Sequence, residues 1–226
     1  MQAVFMFAGT ILIFLMMSRL YIRFHYSFFV PVLTSTFLIV TLLVLFQIPY
    51  ETYMDGGKVI DFFLGPAVVA LAYPMYKQRK EIRAYIIPVA SGVLAGLVTS
   101  LVTGVLFAKA FGIDRIQILS MVPKSLTTPV AIPVSAEIGG VPSMSVVFTM
   151  IAGFTGIIIG PHLVKWMRLK GSMGQGIAFG SASHALGTSK ALEYGEETAS
   201  MSSVAMSLTA IFGSVLGPLF VWLFQI

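Results

Sequence analysis

Cysteine and charged side chains are scarce in this sequence. None of its 226 residues is cysteine, and only 10% are Asp, Glu, Lys or Arg, whereas soluble domains carry about 25% charged residues. The absence of cysteine excludes disulfides, thiolate nucleophiles and cysteine-based metal sites. The shortage of charge means that the chain cannot cover a water-facing surface, so lipid must solvate much of it.

Motifs for nucleotide and metal chemistry are also missing. No P-loop or GxGxxG segment occurs, so nothing indicates ATP use. The three histidines, His25, His162 and His184, form no HExxH pair, and we expect neither a metal nor a cofactor. The cations behind the net charge of +5 form short clusters beside apolar runs, such as 19–23, 77–83 and 165–170. This arrangement is typical of membrane orientation signals, so we expect no nucleic-acid partner.

Apolar residues make up most of the chain. They account for 57% of it, and the mean hydropathy is +0.93. At about 20 apolar residues per crossing, this length predicts an all-α polytopic membrane protein with about six to eight transmembrane segments. The apolar runs lie at 1–18, 27–48, 62–76, 84–108, 138–161 and 198–226. No polar linker divides them, so we expect a single transmembrane domain over residues 1–226, surrounded by membrane lipid.

The cationic clusters predict how the chain crosses the membrane. Because Arg19 and Arg23 follow the first apolar run, its amino terminus is expected outside and its end in the cytoplasm. The same rule puts 77–83 and 165–170 inside, and counting the fourth crossing then puts 109–115 outside. Only one clean span, 138–161, separates 109–115 from 165–170. The stretch 116–137 is therefore expected to enter and leave on one side, as the first of two broken or re-entrant elements.

The first polar stretch combines a cation with hydroxyls and prolines. Pro123, Pro129 and Pro133 lie within eleven residues and are expected to forbid a regular helix, because each lacks an N–H and clashes with the preceding turn. A lysine inside a membrane is costly and usually functional. We therefore predict a substrate site made of Lys124, Ser125, Thr127 and Thr128. Alternatively, Lys124 snorkels to the interface or pairs with Glu137.

The second polar stretch, 180–197, contains a histidine among small residues. On a regular helix Ser181, His184 and Thr188 share one face, so we add Ser181, Ser183 and Thr188 to the substrate site. Histidine side chains ordinarily titrate near neutral pH, and we predict that His184 handles a proton together with Glu193. Alternatively, His184 only locks helix packing. A third interpretation, an intramembrane hydrolase using Ser181 or Ser183, His184 and Glu193, is disfavoured because triad members normally converge from separate elements.

Other glycines and prolines indicate kinks and close packing. Gly65, Pro66 and Pro74 are expected to break the third crossing or, alternatively, to kink a purely structural helix. Small-xxx-small pairs allow helices to approach closely; they are Gly92/Gly96, Gly156/Gly160, Gly176/Gly180 and Gly213/Gly217. Together they predict a compact helical bundle.

Several blocks of this sequence resemble the LrgB/CidB family of bacterial membrane proteins, which includes the plastid glycolate/glycerate translocator. The most specific are Pro123-Lys124-Ser125-Leu126-Thr127-Thr128-Pro129 and Ser183-His184-Ala185-Leu186-Gly187-Thr188. Further blocks are Leu64-Gly65-Pro66-Ala67 and Ile138-Gly139-Gly140-Val141-Pro142-Ser143. The resemblance extends over essentially the whole chain.

The resemblance implies two linked functions in a multi-pass protein of the bacterial plasma membrane. One is transport of small monocarboxylates such as pyruvate, glycolate or glycerate. The other is control of murein hydrolase activity and cell lysis beside a small hydrophobic protein of the LrgA/CidA type. An alternative is a holin-like or antiholin-like pore or scaffold without a solute site, which would act by homo-oligomerisation through glycine faces around Gly92, Gly156 or Gly213.

Overall fold

The structure is a computed structural model that describes residues 2–24, 29–70, 72–77 and 79–226. Every regular element in these residues is helical. Contacts divide the chain into two compact units, Met1–Ala67 and Val68–Ile226. The expectation of one domain over residues 1–226 stays a prediction.

The first unit contains three helices, α1 (Gln2–Phe24), α2 (Pro31–Leu45) and α3 (Tyr50–Phe62). The second predicted crossing is shorter than expected: α2 starts at Pro31, whose missing N–H needs no partner in a first turn, and residue 27 lies outside the described residues. Helix α3 packs closely on α1, since a Cβ at Gly56 would lie 2.5 Å from the carbonyl oxygen of Ala3. The hydroxyls of Thr10 and Tyr53 lie 3.2 Å apart across the same interface.

The described residues of the predicted third crossing and of the cationic cluster after it are helical, as α4 (Leu64–Ala70), α5 (Ala72–Lys77) and α6 (Arg79–Ala84), while residues 71 and 78 lie outside the described residues. Pro74 lies within α5, whereas Gly65 and Pro66 lie in the first turn of α4. Proline is tolerated there because first-turn N–H groups have no partner within the helix. Gly65 and Pro66 therefore stand at the start of a helix that follows the turn at Phe63, and the expected break or kink at Gly65, Pro66 and Pro74 stays a prediction.

Three long helices span the second unit, α7 (Ile86–Ala110), α10 (Pro142–Trp166) and α12 (Glu196–Leu223). With α1, they are the four helices among the described residues that are long and apolar enough to cross a membrane. They match the predicted runs 84–108, 138–161 and 198–226 to within a few residues. The protein is an all-α polytopic membrane protein.

Between α7 and α10 the chain forms a re-entrant hairpin, here called the first hairpin (residues 115–137). It consists of α8 (Arg115–Met121), a 3-10 helix (Val122–Ser125) and α9 (Thr128–Glu137). Arg115 and Glu137 line one cavity of about 740 Å³, and the Val141 N–H donates to Ser120 Oγ at 2.8 Å. The segment thus returns to the end from which it started, in agreement with the expectation from the charge clusters.

The prolines of the first hairpin behave differently from one another. Pro123 lies in the 3-10 helix at the tip. Pro129 stands in the first turn of α9, where a missing N–H costs nothing, but Pro133 lies inside that helix. The prediction that all three prolines forbid a regular helix was wrong for residues 128–137. Pro133 removes only one helical hydrogen bond, the one to the carbonyl of Pro129.

A second hairpin (residues 172–191) lies between α10 and α12. It is α11 (Ser172–Ala191), interrupted at His184 by a φ of 43° and a ψ of −128°. Beyond this break the chain folds back, because a Cβ at Gly187 would overlap the carbonyl oxygen of Phe179. The predicted regular helical face of Ser181, His184 and Thr188 was therefore wrong, since the helix reverses at its central residue.

Candidate functional site

The two hairpins enter the second unit from opposite ends of α12. At one end, Arg115 at the start of the first hairpin donates to the carbonyl of Ile226 at 3.0 Å. At the other end, Gly176 of the second hairpin packs against Thr198 in the first turns of α12. Oppositely directed broken helices that meet within a bundle are a recurring arrangement in secondary transporters.

The hairpin tips contact each other. His184 Nε2 lies 3.1 Å from the main-chain carbonyl oxygen of Lys124. A carbonyl oxygen only accepts, so Nε2 carries the proton and donates it. This contact gives a partner to a carbonyl that the 3-10 turn leaves outside a regular helix, as required of non-helical backbone within a membrane.

Glycines on the long helices make room for both tips. A Cβ at Gly156 of α10 would overlap Ser183 Oγ, and one at Gly213 of α12 would overlap the side chain of Leu126. Gly180 packs similarly against the carbonyl of Ser202. The glycine pairs of the sequence therefore have an intrachain use, the seating of two re-entrant hairpins against α10 and α12.

A cavity of about 560 Å³ lies beside the tips, bounded by α7, α10 and both hairpins. It reaches from Lys124 towards Met167 at the end of α10. Its polar lining side chains are Ser100, Lys124, Ser125, Thr155, Ser181 and Ser183. The remaining wall is mainly apolar and includes Phe148, Ile151, Ile159 and Leu163.

The Lys124 ammonium is held at the inner end of this cavity. Its Nζ donates to the carbonyl oxygen and to Oγ of Ser100, both at 2.9 Å. Ser100 Oγ also lies 2.7 Å from Ser125 Oγ. In the described part of the chain no carboxylate lies within 4.0 Å of Lys124, and Glu137 lines the other cavity. A half-buried cation among hydroxyls and apolar walls is suited to receive an anionic ligand.

The predicted substrate residues divide into two groups. Ser125, Ser181 and Ser183 line the cavity with Lys124. Thr127 and Thr128 do not: they stand at the start of α9, where Thr127 is buried. Thr188 is also outside the lining, because its hydroxyl donates to the carbonyl of His184 at 3.0 Å and lies 3.0 Å from Ser202 Oγ.

The two predicted proton-handling residues have different surroundings. His184 is buried at the tip contact, whereas Glu193 is half exposed and lies 2.6 Å from the Lys190 ammonium. Ser181 donates to the carbonyl of Ile177. Ser181 and His184 thus both hydrogen-bond main-chain carbonyl oxygens, those of Ile177 and Lys124, and this is not the serine–histidine pairing of a hydrolase triad.

Sequence reasoning missed Ser100, which contacts both Lys124 and Ser125. A lone serine in a long apolar helix is an ordinary feature and carries little signal. The available clue was its spacing from Gly104, four residues along the same helix face. A Cβ at Gly104 would lie 2.8 Å from Lys124 Nζ, so this small-xxx-small pair seats a side chain and not another helix.

Comparison with known proteins identifies the family. Residues 10–223 match the family described as "LrgB: LrgB-like family". The chain belongs to the LrgB-like family. A Bacillus subtilis (strain 168) protein named "Uncharacterized protein YxaC" is 59% identical over 217 residues, which cover 96% of this LrgB-like chain and 94% of the relative.

Named relatives of the LrgB-like chain include holin-like proteins. "Holin-like protein CidB" of Staphylococcus aureus (strain Mu50 / ATCC 700699) is 38% identical over 223 residues, covering 99% of this chain and 97% of the relative. "Uncharacterized protein YwbG" of Bacillus subtilis (strain 168) is 35% identical over 202 residues, covering 89% and 90%. No solved structure matches the chain.

Proposed function

We propose that this LrgB-like protein is a transporter or channel for small monocarboxylates in the bacterial plasma membrane. The observation that carries the proposal is the Lys124 ammonium, which lines an otherwise mainly apolar cavity and has no carboxylate partner among the described residues. Ser100 and Ser125 supply hydroxyls beside it. The resemblance stated above suggests the pyruvate, glycolate and glycerate class.

The charge balance of the cavity favours one carboxylate per ligand. Lys124 is the one ionisable side chain in its lining as far as the structure describes it. One carboxylate neutralises one ammonium, whereas a second carboxylate would be left in an apolar environment without a partner. An unpaired buried charge is costly. We therefore expect dicarboxylates to be poor ligands.

His184 is the residue to which we assign proton coupling. Its Nε2–H donates to the Lys124 carbonyl, so Nδ1 is the ring atom that can gain a proton. Proton uptake there would add a positive charge at the contact between the hairpin tips, which a carboxylate bound at Lys124 would favour. No ATP-binding motif occurs in the sequence, so transport would be secondary or passive.

Flux through proteoliposomes tests the site. Purified protein is reconstituted, and uptake of labelled pyruvate and glycolate is measured for wild type, Lys124→Met and Lys58→Met. Lys58 is an exposed lysine of α3 that pairs with Asp55 and serves as the matched control. We expect uptake by wild type and Lys58→Met and loss of uptake in Lys124→Met, with unchanged elution and melting temperature. Full flux in Lys124→Met would overturn the site assignment.

The names of the CidB relatives support a second proposal, a holin-like function. Here the chain would influence murein hydrolase activity and lysis beside a small hydrophobic LrgA/CidA-type protein, or form a homo-oligomeric pore. The glycines assigned to that pore, Gly92, Gly156 and Gly213, pack against Ile177, Ser183 and Leu126 of the same chain. Leakage of carboxyfluorescein from the same proteoliposomes distinguishes the two: a pore releases the dye regardless of Lys124, and a selective transporter retains it.

A further inference from the structure

Helix α7 forms a docking site for the Lys124 ammonium. Two acceptors of one residue, the carbonyl oxygen and Oγ of Ser100, lie 2.9 Å from Nζ. Gly104, one turn further along α7, leaves the space that Nζ occupies, because a Cβ there would lie 2.8 Å from Nζ and 3.6 Å from Cε. Ser100 and Gly104 are thus both needed for this geometry.

The docking site limits the number of hydrogen bonds that the Lys124 ammonium can donate to a ligand. A lysine ammonium has three N–H donors and no acceptor. Two of them are used by Ser100, so one N–H remains for the cavity. Ser125 Oγ, which lies 2.7 Å from Ser100 Oγ, supplies a neighbouring hydroxyl. The docked lysine is therefore held in one position with one free donor.

We propose that Ser100 and Gly104 are positioning residues that dock Lys124 and present a single N–H to one carboxylate. The proposal rests on the proposed function for its ligand, but the docking itself does not depend on transport. An ammonium held by α7 loses little side-chain freedom when an anion arrives, so docking strengthens binding. A freed lysine would lose that freedom on each binding event.

The Gly104→Ala substitution removes the docking site with little disturbance of the helices. The atom that its Cβ would meet most closely is the end of a flexible side chain, so the ammonium can move away without repacking of the helices. Ser100→Ala is an independent second variant, since it removes Oγ and leaves the space at Gly104. Ser100→Thr keeps a hydroxyl and is the conservative rescue. Gly174→Ala, where nothing lies within 4 Å of the new Cβ, is the control for a glycine-to-alanine change.

The first measurement is the chemical reactivity of the Lys124 amine, which does not depend on transport. Purified full-length protein is treated with sulfo-N-hydroxysuccinimide acetate at one pH, and acetylation of Lys124 is quantified by mass spectrometry. Release of the ammonium from the docking site should raise the labelling rate of Lys124 in Gly104→Ala by about tenfold. This is the factor that one hydrogen bond to a charged group provides. Gly174→Ala should label like wild type. Equal labelling of Lys124 in Gly104→Ala and wild type would overturn the docking.

The second measurement is the concentration dependence of pyruvate uptake in proteoliposomes. We expect KM to rise about tenfold in Gly104→Ala and Ser100→Ala, with kcat little changed and with Ser100→Thr close to wild type. An unchanged KM in both variants, or a fall in kcat alone, would overturn the positioning role. Absence of uptake by wild type would instead contradict the proposed function, while the labelling result would still decide whether the lysine is docked.

Discussion

His184 Nε2 lies 3.1 Å from the carbonyl oxygen of Lys124 and joins the tips of two hairpins that enter from opposite ends of α12. The histidine also has a φ of 43°, a value that non-glycine residues rarely adopt. A donor at this position fixes the second hairpin against the backbone of the residue whose ammonium faces the cavity. The geometry of the cavity therefore depends on both tips.

Removing the imidazole should loosen this contact. In His184→Ala the Lys124 carbonyl loses its donor between the two tips, and we expect a loss of about 1–3 kcal/mol in the free energy of unfolding. For a chain of this size each kcal/mol corresponds to a melting temperature lower by about 2–4 °C. Thermal unfolding of the purified protein in detergent measures the difference.

The His184→Gln variant separates the structural role of the hydrogen bond from the proton-handling role of the imidazole. A glutamine amide can donate as Nε2 does but does not titrate. We expect its melting temperature to stay close to that of wild type, while accumulation of pyruvate driven by a pH gradient is lost. Gradient-driven accumulation as strong as in wild type would remove His184 from the proton path.

The two hairpins differ in how far the sequence predicts them. The first follows from charge clusters and the number of crossings, because Arg115 and Lys165 must lie on opposite sides. The reversal at His184 does not, because the polar stretch 180–197 contains no proline and is compatible with a regular helix, and the break depends on Gly187 packing against Phe179. The sequence identified Lys124 and three cavity serines, yet Ser100 could not be assigned, since its role arises only when α7 and the tip are brought together.

Glu193 offers a contrasting case to His184. Its carboxylate lies 2.6 Å from the Lys190 ammonium, and its side chain is 50% exposed while that of Lys190 is 11% exposed. Ion pairs near the surface contribute about 0–1 kcal/mol. We expect Glu193→Gln to change the free energy of unfolding by no more than that and to leave pH-driven pyruvate uptake intact. Loss of proton coupling in this variant would return Glu193 to the proton-handling role that the sequence indicated.

Gly156 should tolerate no side chain, because it receives the tip of the second hairpin. In Gly156→Ala the new Cβ would overlap Ser183 Oγ and lie 2.6 Å from Ser183 Cβ. Overpacking of this kind costs about 1–3 kcal/mol, and we expect a lower melting temperature together with reduced uptake. Gly174→Ala, which has open space, should melt like wild type or slightly higher, since alanine favours a helix by up to about 1 kcal/mol. Equal melting of the two variants would contradict the close seating of this tip.

The packing of Leu126 of the first hairpin against Gly213 can be measured as a coupling free energy in a double-mutant cycle. Gly213→Ala should cost about 1–3 kcal/mol because its Cβ would overlap the Leu126 side chain. Leu126→Ala should cost about 2–5 kcal/mol because Leu126 is almost fully buried. In the double variant the truncated Leu126 makes room for the methyl group at position 213, which fills part of the cavity, so the combined loss should be smaller than the sum by about 0.5–3 kcal/mol.

Unfolding by SDS in mixed micelles gives the free energies for this cycle. The control cycle pairs Leu126→Ala with Gly174→Ala, which has no neighbour within 4 Å, so its two effects should add. Additivity in the Gly213 cycle as well would mean that Leu126 does not fill the space above this glycine. In that case Gly213 would be available for packing against a second chain, and the oligomeric pore would gain the glycine face that it requires.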